Sequence, residues 1–294
     1  MSQRTKVWVA LWTVYILWGS TYLGIAIAGE TLPPLLAAST RFICAGAIMA
    51  TVVVCRGGSM RVPWRTFGSC ALIGVLLPGA NAVLFFAERH VPSGLASLLI
   101  ASVPLFVVVE RLALGDRLPT PVLVGVGVGF AGVALLARPS GSGATTGVLL
   151  CILSALMWSL GSVASHRLPM PADIIAATAW EMIVGGFIML PAALVTSGVP
   201  SPSTASILAW VYLISFGSVI GYTAYTWLLA NAPLATVSTY AYVNPVVAVG
   251  LGVLFRDEHL STRVLVGAAI VVGAVAVVVG REPRAATLPE EGIR

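Results

Sequence analysis

Two full charges stand deep inside long apolar stretches, Arg41 and Glu181. On insertion scales each costs about 2.5–3.5 kcal/mol at a bilayer centre, so each must face protein or a wet cavity. The chemistry on offer is anion binding by the guanidinium and proton exchange by the carboxyl. A fixed structural pair between the two is the plainer reading, and both stay open. Pro104 and Pro245 also lie within apolar stretches. Each removes a backbone donor and frees the carbonyl one turn earlier, which is tolerable only where protein or water meets it. Asn244 precedes the second proline, and Asn81 follows Pro78-Gly79, so amides are available at similar depth. Tyr15, Trp18 and Tyr22 share one helical face by spacing, as do Tyr222 and Tyr225; Tyr240 and Trp180 extend the aromatic set. Rings of this kind suit an organic solute or a cation. Helix packing and interfacial anchoring are the ordinary uses of the same residues.

The elements that must position these groups follow from composition. The chain has 294 residues, 58% of them hydrophobic and only 9% charged, with mean hydropathy +0.99. Ordinary soluble domains carry roughly 25% charged residues, so a soluble enzyme, a nucleic-acid binder and a disordered chain are all excluded. The apolar runs are long and lack period-two alternation, which predicts an all-α integral membrane protein rather than a barrel. Ten spans are expected, at about 7–28, 34–55, 66–87, 93–114, 120–138, 146–166, 172–196, 205–229, 234–255 and 263–280. Arg4 and Lys6 precede an apolar run, as in a signal peptide, but its length and aromatic content read as a first span. With the N-terminus inside, eleven Lys and Arg fall on the cytoplasmic side and four on the other. Both termini are therefore expected in the cytoplasm of a multi-pass protein. The four cysteines show no paired spacing and read as buried hydrophobes.

The halves match each other. Trp18 and Trp158 are 140 residues apart, and Pro104–Pro245 and Asp116–Asp257 are both 141 apart; Pro92–Pro233 repeats the second shift. A near-constant shift argues for duplication. An odd number of spans per repeat makes the second insert upside down, an arrangement recurrent in transporters. The expected units are a first repeat at 1–138, a linker at 139–145, a second repeat at 146–280 and a polar tail at 281–294. Gly125, Gly127, Gly129 and Gly132 in the fifth span, with Gly267 and Gly273 in the tenth, suit close packing between peripheral helices or a homodimer contact. Glu110 and Arg111 read as an interfacial pair. No phosphate-binding loop is present, and the three histidines are scattered, so no cofactor, metal site or catalytic triad is expected.

Several motifs together resemble the EamA-type branch of the drug/metabolite transporter superfamily: Leu17-Trp18-Gly19-Ser20, Arg41-Phe42, Val91-Pro92-Ser93-Gly94 leading to Pro104-Leu105-Phe106, and Tyr240-Ala241-Tyr242-Val243-Asn244-Pro245-Val246. An acid after the fourth span of each repeat also fits. The resemblance covers about 7–280. It implies two inverted five-helix repeats around a central cavity, in the cytoplasmic (inner) membrane. It also implies movement of small metabolites, often amino acid export, sometimes of toxic organic cations, with proton coupling in some relatives. Asp116 departs from the usual Glu, while Glu258 keeps the acid; Glu110 is a second departure. The expected substrate pathway is Trp18, Tyr22, Arg41, Asn81, Pro104, Trp180, Tyr222, Tyr240, Asn244 and Pro245, with Glu181 as the coupling residue. The rivals are an uncoupled facilitator, an organic-cation efflux carrier and, further off, a lipid flippase or membrane-embedded enzyme.

Overall fold

The computed structural model describes residues 1–137, 143–198, 200–232, 234–237, 239–258 and 261–281. Among these all regular structure is helical. The helices are α1 (Gln3–Ala28), α2 (Pro34–Cys55), α3 (Trp64–Ala87), α4 (Ser93–Ile100), α5 (Val103–Ala113), α6 (Thr120–Leu136) and α7 (Ala144–Ser165). They continue with α8 (Ile174–Thr196), α9 (Thr204–Tyr212), a π-helical stretch (Leu213–Ile220), α10 (Gly221–Asn231), α11 (Leu234–Val237), α12 (Tyr240–Arg256) and α13 (Thr262–Arg281). With α4 joined to α5, and α9 joined through the π-helical stretch to α10, eight helical stretches are long and apolar enough to cross a membrane. Thr120–Leu136 and Tyr240–Arg256 are apolar but shorter. Most of the expected linker and the tail beyond residue 281 lie outside the described residues, as do Arg138, Pro233 and His259.

Helix starts use local backbone chemistry. Ser2, Asp173 and Ser203 accept hydrogen bonds from the first free amides of α1, α8 and α9. Pro33, Pro63, Pro92 and Pro119 sit immediately before α2, α3, α4 and α6, where a missing N–H costs nothing. The break between α4 and α5 falls at Ala101–Ser102, which leaves Pro104 in the first turn of α5.

The long helices pack as α2 on α8, α3 on α7 and α8, α6 on α13, and α1 on α10 and α12. Close approach rests on absent side chains. A Cβ on Gly74 of α3 would lie 2.4 Å from the Glu181 carbonyl oxygen of α8, and one on Gly185 would lie 2.3 Å from that of Gly74. Gly132 would likewise meet Ile270 at 2.8 Å and Gly125 would meet Val278 at 3.1 Å, so these two glycines of α6 serve its contact with α13, whereas Gly129 faces Leu105 and Gly127 meets nothing within 4 Å. Polar ties gather the loops into two ends. A proximal end joins Gln3 to Asn231, Arg56 to Asp173, and Asp116 to Arg167. A distal end joins Thr31 to Ser206, Arg256 to Glu30, and Glu258 to Ser93.

Candidate functional site

Midway between those ends lies a cavity walled by α1, α3, α4, α7, α10 and α12, with Arg41 entering from α2. Its organising side chain is Trp18, only 8% exposed. The Trp18 indole meets Tyr222 and Tyr240 edge to face at 5.3 and 5.4 Å, lies tilted on Tyr225 at 4.9 Å, and meets Trp158 at 6.2 Å. These spacings fall in the favourable range for offset and edge-to-face rings. Its Nε1 donates to the Gly217 carbonyl at 3.2 Å. Arg41 is 2% exposed. Its Nε donates to Ser218 Oγ at 3.0 Å, and its guanidinium carbon stands 5.0 Å from the Phe42 ring centroid. Among the described residues its Nη1 has no hydrogen-bond partner, and neither does the side-chain oxygen of Asn244. A buried donor and a buried acceptor are therefore left unmet in one ring-lined cavity. Such groups are normally satisfied, so two of them in one cavity call for an explanation.

An EamA-like transporter family model matches the chain twice, over residues 6–138 and 145–280. The chain belongs to that family. The inner membrane transporter YedA of Escherichia coli K12 is 36% identical over 281 residues, covering 94% of this chain and 91% of that protein. Protein PecM of Dickeya dadantii is 31% identical, covering 89% and 88%. One solved crystal structure superimposes with a TM-score of 0.67 at 23% identity, covering 92% of this chain and 96% of its own, and so shares the fold. This EamA protein is a membrane transporter of small molecules.

Within this EamA cavity the expected pathway residues divide. Trp18, Tyr22, Arg41, Asn81, Tyr222, Tyr240, Asn244 and Pro245 line it. Pro104 does not, although its neighbour Val103 does. Trp180 lies elsewhere, donating to the Met60 carbonyl at 2.9 Å and packing edge-on against Phe67. Glu181 is buried in the α3–α8 crossing, outside the cavity lining, and its carboxylate makes no hydrogen bond or ion pair among the described residues. Arg41 takes Ser218 rather than Glu181 as its partner. Glu110 accepts from Ser159, while Arg111 donates to Asp116.

Trp158, Thr21, Ser97 and Ser154 also line the cavity. Of these only Trp158 had a sequence signal, as the repeat mate of Trp18. Ser218 had none: it reaches Arg41 from the π-helical stretch, where Gly217 and Gly221 leave room for Arg41 and Trp18. At the proximal end, hydrogen bonding and charge from Arg111, then Arg167, hold the Asp116 carboxyl below the usual carboxylate range. Burial pushes Asp173 upward, but hydrogen bonds from Arg56 and from the amides of Ala176 and Ile175 outweigh it and hold Asp173 low. No group of three metal-ligating side chains occurs among the described residues.

Proposed function

We propose that this EamA transporter exports small carboxylate-bearing metabolites, amino acids foremost, by alternating access across the inner membrane. The observation that carries the reading is the unmet Arg41 Nη1 facing a ring-lined cavity that also holds an unmet Asn244 oxygen. A carboxylate fits the guanidinium, an ammonium fits the amide oxygen, and an apolar side chain fits the rings. The fixed charge of Arg41 counts against an organic cation as the main cargo.

Ten spans in two inverted five-helix repeats, with both termini in the cytoplasm, complete the reading. The two family matches are consistent with duplication. The packing supports it too: α1 lies on α10 and α12, and in the exchanged positions α7 lies on α3, α4 and α5. Rocking one repeat against the other would open the cavity to each side in turn. Proton coupling is assigned to Glu181, buried with no hydrogen bond or ion pair to its carboxylate among the described residues.

The test is uptake of a labelled amino-acid panel into proteoliposomes, with and without an imposed proton gradient. The proposal expects at least one amino acid to accumulate above equilibrium when the gradient is applied. Glu181→Gln should abolish that accumulation and spare equilibration. Equilibration alone in the native protein makes it a facilitator, and no movement of any amino acid removes the substrate assignment.

A further inference from the structure

Glu258 sits in a cradle built for a carboxylate. Its Oε1 accepts from the Ser93 amide at 2.9 Å and from Ser93 Oγ at 2.7 Å, and its Oε2 accepts from the Gly94 amide at 2.9 Å. It therefore caps the free amides of α4 from the far half of the chain. Both facing helices lack side chains there: a Cβ on Gly94 would stand 3.0 Å from Oε2, and one on Gly252 would stand 2.6 Å from it.

A second carboxyl shares this end. Glu88 closes α3, one turn beyond the cavity residue Leu84, in the turn that leads to Ser93. Both of its oxygens are shut off from solvent, and neither has a hydrogen-bond partner among the described residues. The titratable and charged groups acting on it are Arg256 at the end of α12 and Glu258 just beyond it, Tyr22 of α1 and Cys151 of α7. Arg256 is itself engaged by Glu30. Glu258 is thus supplied with donors while Glu88 has none. A carboxylate shut off from water and from donors beside a second, half-buried one is not sustainable, and a proton is the smallest ligand that removes its charge. Burial, then the nearby Glu258, pushes the Glu88 carboxyl well above the usual carboxylate range.

We propose that Glu88 is a proton-binding site at the distal gate, and that its protonation is what allows Glu258 to dock on α4 and hold that gate shut. This rests on the alternating-access reading above, under which the distal end faces outward. Separating the halves would hydrate both carboxyls and release the proton. The closed gate binds the extra proton, so falling pH favours closure and rising pH favours opening. Tyr22 both lines the cavity and lies within reach of Glu88, so the site adjoins the transport path. It is separate from Glu181 in the α3–α8 crossing.

The test reads the gate itself. The full chain, with Cys44, Cys55, Cys70 and Cys151 replaced by Ala, carries spin labels at His90→Cys and Ser261→Cys in nanodiscs. Labelling position 90 also removes the imidazole of that turn. The expected result is a short distance that grows in population as pH falls from about 8 to 5, by up to tenfold in the closed-to-open ratio per unit. Glu88→Gln should hold the short distance at every pH. Glu258→Gln should move the midpoint downward, because the like charge is gone. A pH-independent distance in the parent chain overturns the proposal, as does an undiminished titration in Glu88→Gln or an unmoved midpoint in Glu258→Gln. No substrate is needed, so a chain that moves no amino acid still tests the site.

Discussion

Arg41 is a costly residue in its present company. A guanidinium has five N–H donors, and here Ser218 accepts from Nε while Nη1 finds no acceptor among the described residues. An apolar side chain of similar length would fill the same space without that burden. Arg41→Met should therefore raise thermal stability in detergent, by about 1 kcal/mol or more. The same change should cut transport of a carboxylate substrate at least tenfold. A melting temperature that falls, with transport intact, would show Arg41 to be a structural partner instead. The proximal Asp116 makes the opposite case, since Arg111 and Arg167 both serve it. Its folded carboxyl is held low, so its stabilisation is complete above its ordinary value and is lost as pH falls through the lowered one. Thermal scans of the native chain and Asp116→Asn should differ by a constant amount from pH 7 to about 5 and converge only below about pH 4. Convergence near neutrality would contradict the pairing.

Helices here are positioned by what they lack. The α3–α8 crossing brings two backbones together at Gly74 and Gly185, with no room for a methyl group at either. Gly74→Ala should cost about 1–3 kcal/mol in detergent unfolding. Gly68→Ala in the same helix meets nothing within 4 Å and should be neutral or stabilising. Equal effects at the two sites would mean that helix propensity rather than the crossing governs. The prolines act differently in the two halves. Pro104 occupies the first turn of α5, where it breaks nothing, whereas Pro245 lies inside α12. Each still withholds an N–H from the carbonyl four residues earlier, Ile100 and Ala241, and both of those residues line the cavity.

Across the whole molecule, the two ends are fastened by different means. The distal end is closed by the Glu258 cradle on α4 and by the Arg256–Glu30 ion pair. The proximal end is tied by Arg56–Asp173 and by Asp116 between its two arginines. Ties of both kinds join the first half of the chain to the second. An alternating carrier must break them at one end while keeping them at the other. The partly exposed proximal ion pairs are each worth little and are screened by salt. Removing Arg56 should therefore shift the balance toward proximal opening by only a few-fold, read as faster labelling of a cysteine placed at Met60 from that side.

Much of this was legible in the chain itself. Hydropathy summed over about 20 residues located the apolar helices, because burial in lipid is a property of each segment alone. Helical spacing put Tyr15, Trp18 and Tyr22 on one face, and all three are buried. Partnership was not legible. Arg41 and Ser218 are 177 residues apart, and their meeting depends on a π-helical turn that no periodicity announces. One extra residue in such a turn rotates the following face by about 100°. Trp180 read as a pathway residue with the other aromatics and Glu181 as the coupling residue; in the fold Trp180 turns toward Met60, and Glu181 lies where α8 crosses α3, outside the cavity lining. Glu88 and Glu258 drew no notice as a pair, because only the folded chain brings their two turns together. Sequence determined which segments are helical and which side chains are costly to bury; tertiary structure alone decided what each costly side chain faces.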